Sequence, residues 1–388
     1  MNRRVTLSMI GAAALAASVV ATAVPGASAS TPSAANTARV CAAPAAGDAA
    51  CLALAVATAD GSILSSSSPL DTAFTPDDIQ AAYNLKGLKS GGRTVAIVDA
   101  YGYSSLESDL KTYRSHYGLP ACTTANGCLK IMDQRGGSHL PADDPNWDLE
   151  QALDVDAVSA ACPDCKIIMV QADTSNLKNL GAAVNTAAKQ KGVVAISNSY
   201  IGHDRPQVSA YDHPGIAVTA GTGDNGWLGG QYPADDSHVV AVSGTSVHRS
   251  PIDGRGFTET AWSGTGSGCA KKNPAPAWQK DAKTTCKTRA VGDVSAAADP
   301  NFGGLSIVFH GSFGQVGGTS EATPIIAAVY ALSGHTEGYP AKIAYEHPGE
   351  LNDITSGSNG SCGAPLCTAR KGWDGVTGVG TPNGVKGF

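Results

Sequence analysis

After its first 29 residues the sequence contains no apolar run long enough to cross a lipid bilayer, which takes roughly 20 residues. Basic residues are also in the minority, since 27 Lys and Arg stand against 33 Asp and Glu. The first absence argues against a membrane-embedded protein, and the second argues against a nucleic-acid partner. We therefore predict a protein that acts without a membrane and without nucleic acid.

Two signatures of function are missing as well. The chain has no G-x-S-x-G nucleophile elbow, which argues against a lipase or an esterase. Its C-x-x-C stretch, Cys162 to Cys165, is accompanied by no second C-x-x-C and no histidine pair. A structural zinc site needs such a second pair, so the spacing favours a disulfide instead.

What the N-terminus does contain is the pattern of a secretory signal peptide. Arg3 and Arg4 form a charged n-region, a Leu/Ala/Val stretch follows, and residues 27–29 offer a small-residue cleavage site. We predict a signal peptide over residues 1–29 and a secreted, extracellular protein. Removal of the signal peptide takes away both arginines and leaves 25 Lys and Arg against 33 Asp and Glu, a formal charge of −8.

The ten cysteines fall into close pairs along the chain, and an even count in an exported chain favours disulfides. Sequence alone does not fix the connectivity, and we predict that neighbours pair. The predicted pairs are Cys41/Cys51, Cys122/Cys128, Cys162/Cys165, Cys269/Cys286 and Cys362/Cys367.

The chain divides into three parts by composition. After the signal peptide, residues 30–75 are rich in Ala, Ser, Thr and Pro, which predicts a weakly structured leader or pro-segment with one small loop from Cys41 to Cys51. Residues 76–388 carry apolar runs that alternate with helical patterns. Such alternation indicates an α/β fold with a mostly parallel sheet and helices on both faces.

The pattern gives approximate bounds for these elements. Strands are predicted at 93–102, 129–134, 166–172, 193–200 and 215–224, and helices at 104–119, 146–161 and 176–192. Ser104 and Glu107 have the spacing of a capping box at the start of the first of these helices.

Three stretches carry candidate catalytic groups. The first is "GGTSEATPII", in which Ser320 stands at the predicted start of a helix, where backbone N–H groups can face an oxyanion. The second is "LEQALD", in which Glu150 and Asp154 project from one helix face. The third is "TAGTGDNGW", with Asp224 in a Gly-rich turn. Taken singly, each motif favours an ordinary structural role: Ser320 as a helix cap, Glu150 and Asp154 as a solvated acid pair beside the buried stripe, and Asp224 as a turn residue.

In their order along the chain, with Asp99 ending an earlier strand, the three stretches resemble the sedolisins. These are serine-carboxyl peptidases with a subtilisin-like fold. The similarity runs from about Thr75 to the C-terminus and includes "VAIVDAYG", "ISNSY", "YPADDSHVVAVSGTS", "AWSGTGSG" and "GWDGVTGVGTP". It implies a serine-type endopeptidase that acts on protein or peptide substrates, and we expect a monomer. "SNSY" and "AWSGTGSG" are then candidates to bind an extended peptide as an added strand.

The resemblance implies a role for each candidate residue. Ser320 is the nucleophile, Glu150 is its general base, and Asp154 orients Glu150. Asp224 is the oxyanion-hole donor beside the backbone N–H of Ser320. A carboxyl group donates a hydrogen bond only when it is protonated, and an ordinary Asp has a pKa of about 3.9. We therefore expect activity in acid that falls steeply above about pH 6.

Two alternatives remain open from the sequence. A subtilisin-like Ser-His-Asp peptidase would use Asp99 and a histidine in an H-G-T-H type motif, but His139, in a loop, is the nearest histidine before Glu150. The other alternative is an exported binding protein that kept the fold and lost catalysis.

The resemblance also implies one structural Ca²⁺ ion in the C-terminal loops. Its ligands are the carboxylates of Asp353 and Asp374 and the carbonyl oxygens of Ile354, Arg370 and Gly372. Hard oxygen ligands suit calcium. The same loops could instead hold two Asx-turns without a metal. The segment before residue 76 is short for the long folded propeptide of the family, so we predict a short leader or no conventional zymogen.

Overall fold

The computed structural model describes Met1, Ala35–His335 and Glu337–Phe388. The predicted signal peptide lies outside the described residues, apart from Met1. Within the described ranges, no helix combines the length and the apolar character needed to cross a membrane.

The described chain from Ala35 onward contains strands β1–β19 and helices α1–α7 in the following order. The strands are β1 Asn36–Arg39, β2 Ala50–Cys51, β3 Leu54–Ala57, β4 Ser65–Ser66, β5 Thr94–Ala100, β6 Leu129–Asp133, β7 Lys166–Ala172, β8 Val193–Asn198, β9 Tyr200–Ile201, β10 Ala217–Gly221, β11 Val240–Arg249, β12 Phe257–Ala261, β13 Gly268–Pro274, β14 Thr288–Val291, β15 Val294–Ala297, β16 Leu305–Phe309, β17 Ser312–Gly317, β18 Leu351–Asn352 and β19 Thr381–Pro382. The helices are α1 Pro76–Ala82, α2 Leu106–His116, α3 Pro145–Ala161, α4 Leu177–Ala188, α5 Ala277–Asp281, α6 Thr319–Ser333 and α7 Ala341–Glu346.

An eight-stranded sheet forms the centre of the fold, with strand order β12-β11-β10-β8-β5-β7-β6 and β15 paired to β11. Its pairings are parallel except for β12 against β11. Along β5, Val95 and Ile97 face the core shared with α3 and α6, whereas Ala96 and Val98 face the core shared with α4. Successive residues of a strand point to opposite faces, so the continuous apolar run of β5 fills both layers. The predicted α/β class, with a mainly parallel sheet, is confirmed.

The residues predicted as a weakly structured leader form a second sheet with the body of the protein. β3 pairs with β1 on one side and with β17 on the other, and β4 also pairs with β17. The Ala/Ser/Thr-rich composition misled the prediction over 36–66, because β3 and β4 take a partner from β17, about 250 positions later in the chain. Whether this segment is a leader stays a prediction.

One local prediction is wrong, and one alternative reading is excluded. Ser104 and Glu107 form no capping box, since Ser104 binds Asp143 and Glu107 accepts from the Thr124 N–H at 2.8 Å. The alternative of a solvated Glu150/Asp154 pair does not hold, because helix α3 is buried from Trp147 to Ala161. Helices α1, α2 and α6 and strands β5 and β16 pack around it and leave no side for water.

The five predicted disulfides are present with neighbouring cysteines paired. This excludes the zinc alternative for Cys162 and Cys165, which are bonded to each other. The bonded pair is buried beneath the C-terminal end of α3.

A buried ion pair fixes the strands next to the sheet edge. Arg289 and Asp293 are both fully buried and form a bidentate pair between the guanidinium and the carboxylate. Asp293 also accepts from the Ala241 N–H at 2.7 Å, which ties the turn between β14 and β15 to β11. Asp293 accepts a further hydrogen bond from the Tyr345 hydroxyl, also at 2.7 Å.

We predict that Arg289→Met destabilises the protein by about 3–5 kcal/mol, because it leaves the Asp293 carboxylate buried without its cation. Lys342→Met is the matched control, since Lys342 and Glu346 have the same i,i+4 spacing but are about half exposed. An exposed pair of this kind contributes less than about 1 kcal/mol. Urea unfolding of both variants measures the difference, and equal losses would contradict the prediction.

Candidate active site

Ser320 lies in the first turn of α6, just after a glycine that the geometry requires. Gly318 precedes the helix with φ 103°, a backbone conformation that side-chain-bearing residues rarely adopt. Amides in the first turn of a helix have no intrahelical carbonyl to bind, so the Ser320 N–H is available to an oxyanion.

Pro324 explains a second feature of this helix start. It has no N–H and cannot bind the carbonyl oxygen of Ser320 four residues earlier. The Ser199 hydroxyl lies 3.4 Å from that carbonyl oxygen, and the Ser320 hydroxyl lies 3.4 Å from the carbonyl oxygen of Ser199. The "SNSY" stretch and the nucleophile candidate therefore contact each other in both directions.

Glu150 and Asp154 lie on the face of α3 that is turned toward α6, and both are fully buried. Glu150 Oε2 accepts hydrogen bonds from the backbone N–H groups of Leu52 and Ala53, at 3.0 and 2.8 Å. Asp154 Oδ1 accepts from the Ser199 hydroxyl at 2.8 Å. The predicted acid pair is thus at the centre of the protein rather than on a solvated surface.

Burial, followed by the charge of Asp99, raises the pKa of Glu150 well above its usual value, although the hydrogen bond from the Ala53 N–H opposes the rise. The pKa of Asp154 is raised well above its usual value by burial and then by the charges of Asp99 and Glu150. These carboxyls hold protons at a pH where an exposed carboxyl has lost them.

Asp99 is a third carboxyl group of this cluster, which sequence reasoning considered only as the acid of a histidine triad. It ends β5 beside α3, and burial raises its pKa to about 8. Neither of its oxygens has a hydrogen-bond partner in the described structure. Its position at the end of a central strand was the available signal, since the ends of neighbouring parallel strands share one edge of the sheet.

Asp224 lies on the other side of Ser320, in the turn after β10. Its Oδ1 accepts from the N–H and the hydroxyl of Thr319, both at 2.8 Å, while its Oδ2 is buried without a described partner. Burial raises the pKa of Asp224 to about 7 even though the Thr319 hydrogen bonds lower it. The structure therefore brings Ser320, Glu150, Asp154 and Asp224 together.

The histidine alternative finds no support in this geometry. All nine histidines belong to the described residues, and none of them hydrogen-bonds to Ser320, Glu150 or Asp154. His139 donates its backbone N–H to Asp133, and His310 lies near Asp148.

The predicted calcium ligands lie in two loops that contact each other. The Gly372 N–H donates to Asp353 at 2.9 Å, and the Arg370 N–H donates to Asp374 at 2.8 Å. Asp374 is buried and also accepts from the N–H and the hydroxyl of Thr377. No group of three or more His, Cys, Asp or Glu side chains suited to a metal occurs in the described chain. The calcium site therefore stays a prediction.

The chain was compared with known proteins, and no protein-family model matches it. Kumamolisin from Bacillus sp. (strain MN-32) is 30% identical over 363 residues, which cover 83% of this chain and 64% of kumamolisin. Sedolisin from Pseudomonas sp. (strain 101) is 26% identical over 359 residues, which cover 79% of this chain and 59% of sedolisin. The chain thus spans less than two thirds of the length of either relative.

A solved structure of Pseudomonas sedolisin, a serine-carboxyl proteinase complexed with two molecules of pseudo-iodotyrostatin, matches the fold with a TM-score of 0.69 at 23% identity. The match covers 80% of this chain and 96% of that one. The architecture is therefore the subtilisin-like α/β fold. Together with the sequence relatives, these findings support the sedolisin family with a subtilisin-like fold.

We predict that the protein loses stability as the pH rises from about 4 to about 8. Asp99 has a pKa of about 8 when folded against an ordinary value of 3.8, so the folded state binds more protons than the unfolded state in this window. Asp99→Asn cannot ionise and should flatten the dependence, whereas the exposed Asp71→Asn should not. The measurement is the thermal unfolding midpoint of each variant across this pH range. Every variant also carries Ser320→Ala. Equal slopes for the two variants would contradict it.

Proposed function

We propose that the protein is a secreted, acid-acting serine-carboxyl endopeptidase that hydrolyses peptide bonds in proteins or peptides. The observation that carries the proposal is the buried cluster at the start of α6, in which the Ser199 hydroxyl donates to Asp154 and lies 3.4 Å from the Ser320 carbonyl oxygen, with Glu150 one turn earlier on the same helix as Asp154. The cluster offers carboxyl groups where a histidine-dependent peptidase needs imidazole. The sequence similarity to kumamolisin and to sedolisin supports it. The five disulfides support an exported protein.

In this proposal Glu150 removes the proton of the Ser320 hydroxyl as the oxygen attacks the substrate carbonyl. The raised pKa of Glu150 makes its carboxylate a stronger base than an exposed one. Glu150 then returns the proton to the departing amine, and water hydrolyses the acyl-enzyme. Asp154 accepts a hydrogen bond from the Ser199 hydroxyl, and its role in this proposal is to orient Glu150.

Asp224 donates a hydrogen bond to the oxyanion together with the Ser320 N–H. Its Oδ2 is the free oxygen of the pair, and it carries a proton only below the raised pKa of about 7. Above that pH the group is an anion that repels the oxyanion. The loss of this donor accounts for an acid optimum, and removing one oxyanion donor typically costs about 10²–10³-fold in rate.

We also propose that the C-terminal loops bind one structural Ca²⁺ ion. Asp353 and Asp374 supply carboxylates, and the carbonyl oxygens of Ile354, Arg370 and Gly372 complete an oxygen-only set. The residues fit this ion, because neither carboxylate has a salt-bridge partner in the described chain and burial raises the pKa of Asp374 to about 6. A bound cation would stabilise the ionised form of Asp374.

We expect hydrolysis of a denatured protein substrate only in acid, and its loss in both Ser320→Ala and Glu150→Gln. The amide of Gln is nearly the size of the carboxyl group but cannot accept the serine proton. The measurement is the rate of substrate hydrolysis from about pH 2 to about pH 8. Circular dichroism shows whether the variants fold. Cleavage at neutral pH that survives Glu150→Gln would favour a histidine mechanism. A folded wild-type protein without activity at any pH would favour the binding-protein alternative.

Calcium removal gives an independent expectation. A chelator should lower the thermal unfolding midpoint of the wild type by several degrees, since an ion that binds only the folded state stabilises it. Asp374→Asn should abolish this sensitivity, while Asp253→Asn, an exposed acid in another loop, should keep it. A midpoint that does not respond to the chelator would assign the loops to Asx-turns without a metal.

A further inference from the structure

Glu321 is a buried acid beside the nucleophile candidate, and the proposed mechanism gives it no part. It follows Ser320 in the first turn of α6 and is fully buried. Neither of its carboxyl oxygens has a hydrogen-bond partner in the described structure, and no basic side chain described there forms an ion pair with it. A buried carboxylate needs such partners, so this position suits an uncharged carboxyl group.

The turn after β15 packs closely against the same helix start. The Gly318 N–H donates to the Ala298 carbonyl oxygen at 2.6 Å. A Cβ at position 317 would lie 2.4 Å from that oxygen, so the close approach requires glycine there. The carbonyl oxygen of Gly318 in turn accepts from the Glu321 N–H at 3.0 Å. This junction therefore fixes the backbone from which the hydroxyl and the N–H of Ser320 project.

The turn on the other side of this junction carries a second acid, Asp299. Its ionised form has donors, since it accepts from the Ser246 hydroxyl at 2.6 Å and from the Asn301 N–H at 3.0 Å. Burial raises the pKa of Glu321 well above its usual value, and the charge of Asp299 adds to the rise. Tyr113 of α2 also interacts with Glu321, but burial raises the pKa of its hydroxyl, which stays neutral. An ionised Glu321 would therefore face the like charge of Asp299 without a cation.

We propose that Glu321 is a positioning residue for Ser320: its uncharged form lets the start of α6 pack on the turn that carries Asp299, and its ionisation separates the two. This inference rests on the proposed peptidase function. The separation moves Gly318, and with it the hydroxyl and the N–H of Ser320, away from Glu150 and from the oxyanion. Glu321 thus controls the reaction without contact with the substrate.

The direction of the pH effect follows from proton linkage. The folded protein binds the Glu321 proton more tightly than an unfolded chain, in which the carboxyl group has its ordinary pKa of 4.5. This contribution to stability is complete below that pH and is lost as the pH rises. Above its optimum the reaction then depends on two protons, one on Asp224 and one on Glu321. We expect kcat to fall by about a hundredfold for each pH unit instead of about tenfold.

The test compares the wild type with Glu321→Gln, because Gln has nearly the same size and no charge at any pH. The measurement is kcat and KM for a denatured protein substrate from about pH 3 to about pH 8. At about pH 4 the two proteins should agree within about twofold. One pH unit into the fall, kcat of Glu321→Gln should exceed that of the wild type by about tenfold, with KM unchanged. Glu350→Gln, which changes an exposed acid, should keep the wild-type profile.

Two further variants separate the charge of Glu321 from its packing. Glu321→Ala leaves a cavity and should lower the thermal unfolding midpoint at every pH, measured in chains that also carry Ser320→Ala. With Ser320 intact, Glu321→Ala should nevertheless show the same shallow fall of kcat as Glu321→Gln, because it also lacks the charge. Asp299→Asn removes the facing charge and should move the fall of kcat to higher pH. Asn can keep both contacts of Asp299, since the Ser246 hydroxyl can accept as well as donate.

A fall of kcat as steep in Glu321→Gln as in the wild type would overturn the proposal, and so would an equal loss of activity by Glu321→Gln at every pH. Hydrolysis by the wild type separates this inference from the proposed function. If the wild type cleaves the substrate and Glu321→Gln has the same pH profile, the positioning role is wrong while the peptidase function stands. If the folded wild type cleaves nothing at any pH, both are wrong.

Discussion

The carboxyl groups of Glu150, Asp154 and Asp99 are buried close to one another. The candidate site depends on the shortage of cations and hydrogen-bond donors that could stabilise their ionised forms. Taking a carboxylate out of water is costly unless cations or several hydrogen bonds replace the water. Glu150 accepts hydrogen bonds from two backbone amides, and Asp154 accepts one from the Ser199 hydroxyl. Asp99 has no hydrogen-bond donor in the described structure. The fold therefore favours protonated carboxyls. A general base must be ionised, so the acid requirement of the proposed mechanism comes from Asp224, whose buried carboxyl must keep its proton to donate to the oxyanion.

The start of α6 is adapted to this cluster through exceptions to ordinary helix structure. Gly318 supplies a backbone conformation closed to other residues, and Pro324 removes the N–H that would have bound the Ser320 carbonyl. Ser199 then lies within reach of both Ser320 and Asp154. One hydroxyl group thus links the nucleophile candidate to the acid pair, and this link fixes α6 relative to α3.

The segment from β1 to β4 has two roles in the structure that cannot be separated by inspection of its sequence. It adds strands to the sheet that leads into α6, and it places Leu52 and Ala53 on Glu150. These contacts bury Ser320 completely. The same strand pairing that stabilises the sheet therefore controls access to the cleft.

Much of this could be predicted from the sequence. The alternation of apolar runs with helical patterns indicated the α/β class, because a strand buried on both faces needs apolar residues at every position, as β5 has. The close spacing of the cysteines predicted the five disulfides. The spacing of Glu150 and Asp154 placed both on one face of a helix. These features depend on residues near one another in the chain, so the sequence by itself determined them.

The tertiary structure decided what depends on distant partners. The burial of α3 on every side, the presence of Asp99 in the acid cluster, and the strands of the segment 36–66 come from surfaces that meet only in the folded chain. Leu52 and Glu150 are 98 positions apart, and neither local sequence indicates the hydrogen bond between them. Periodicity and composition report local preference, whereas proton affinity and access to the cleft depend on what the whole fold packs around a group.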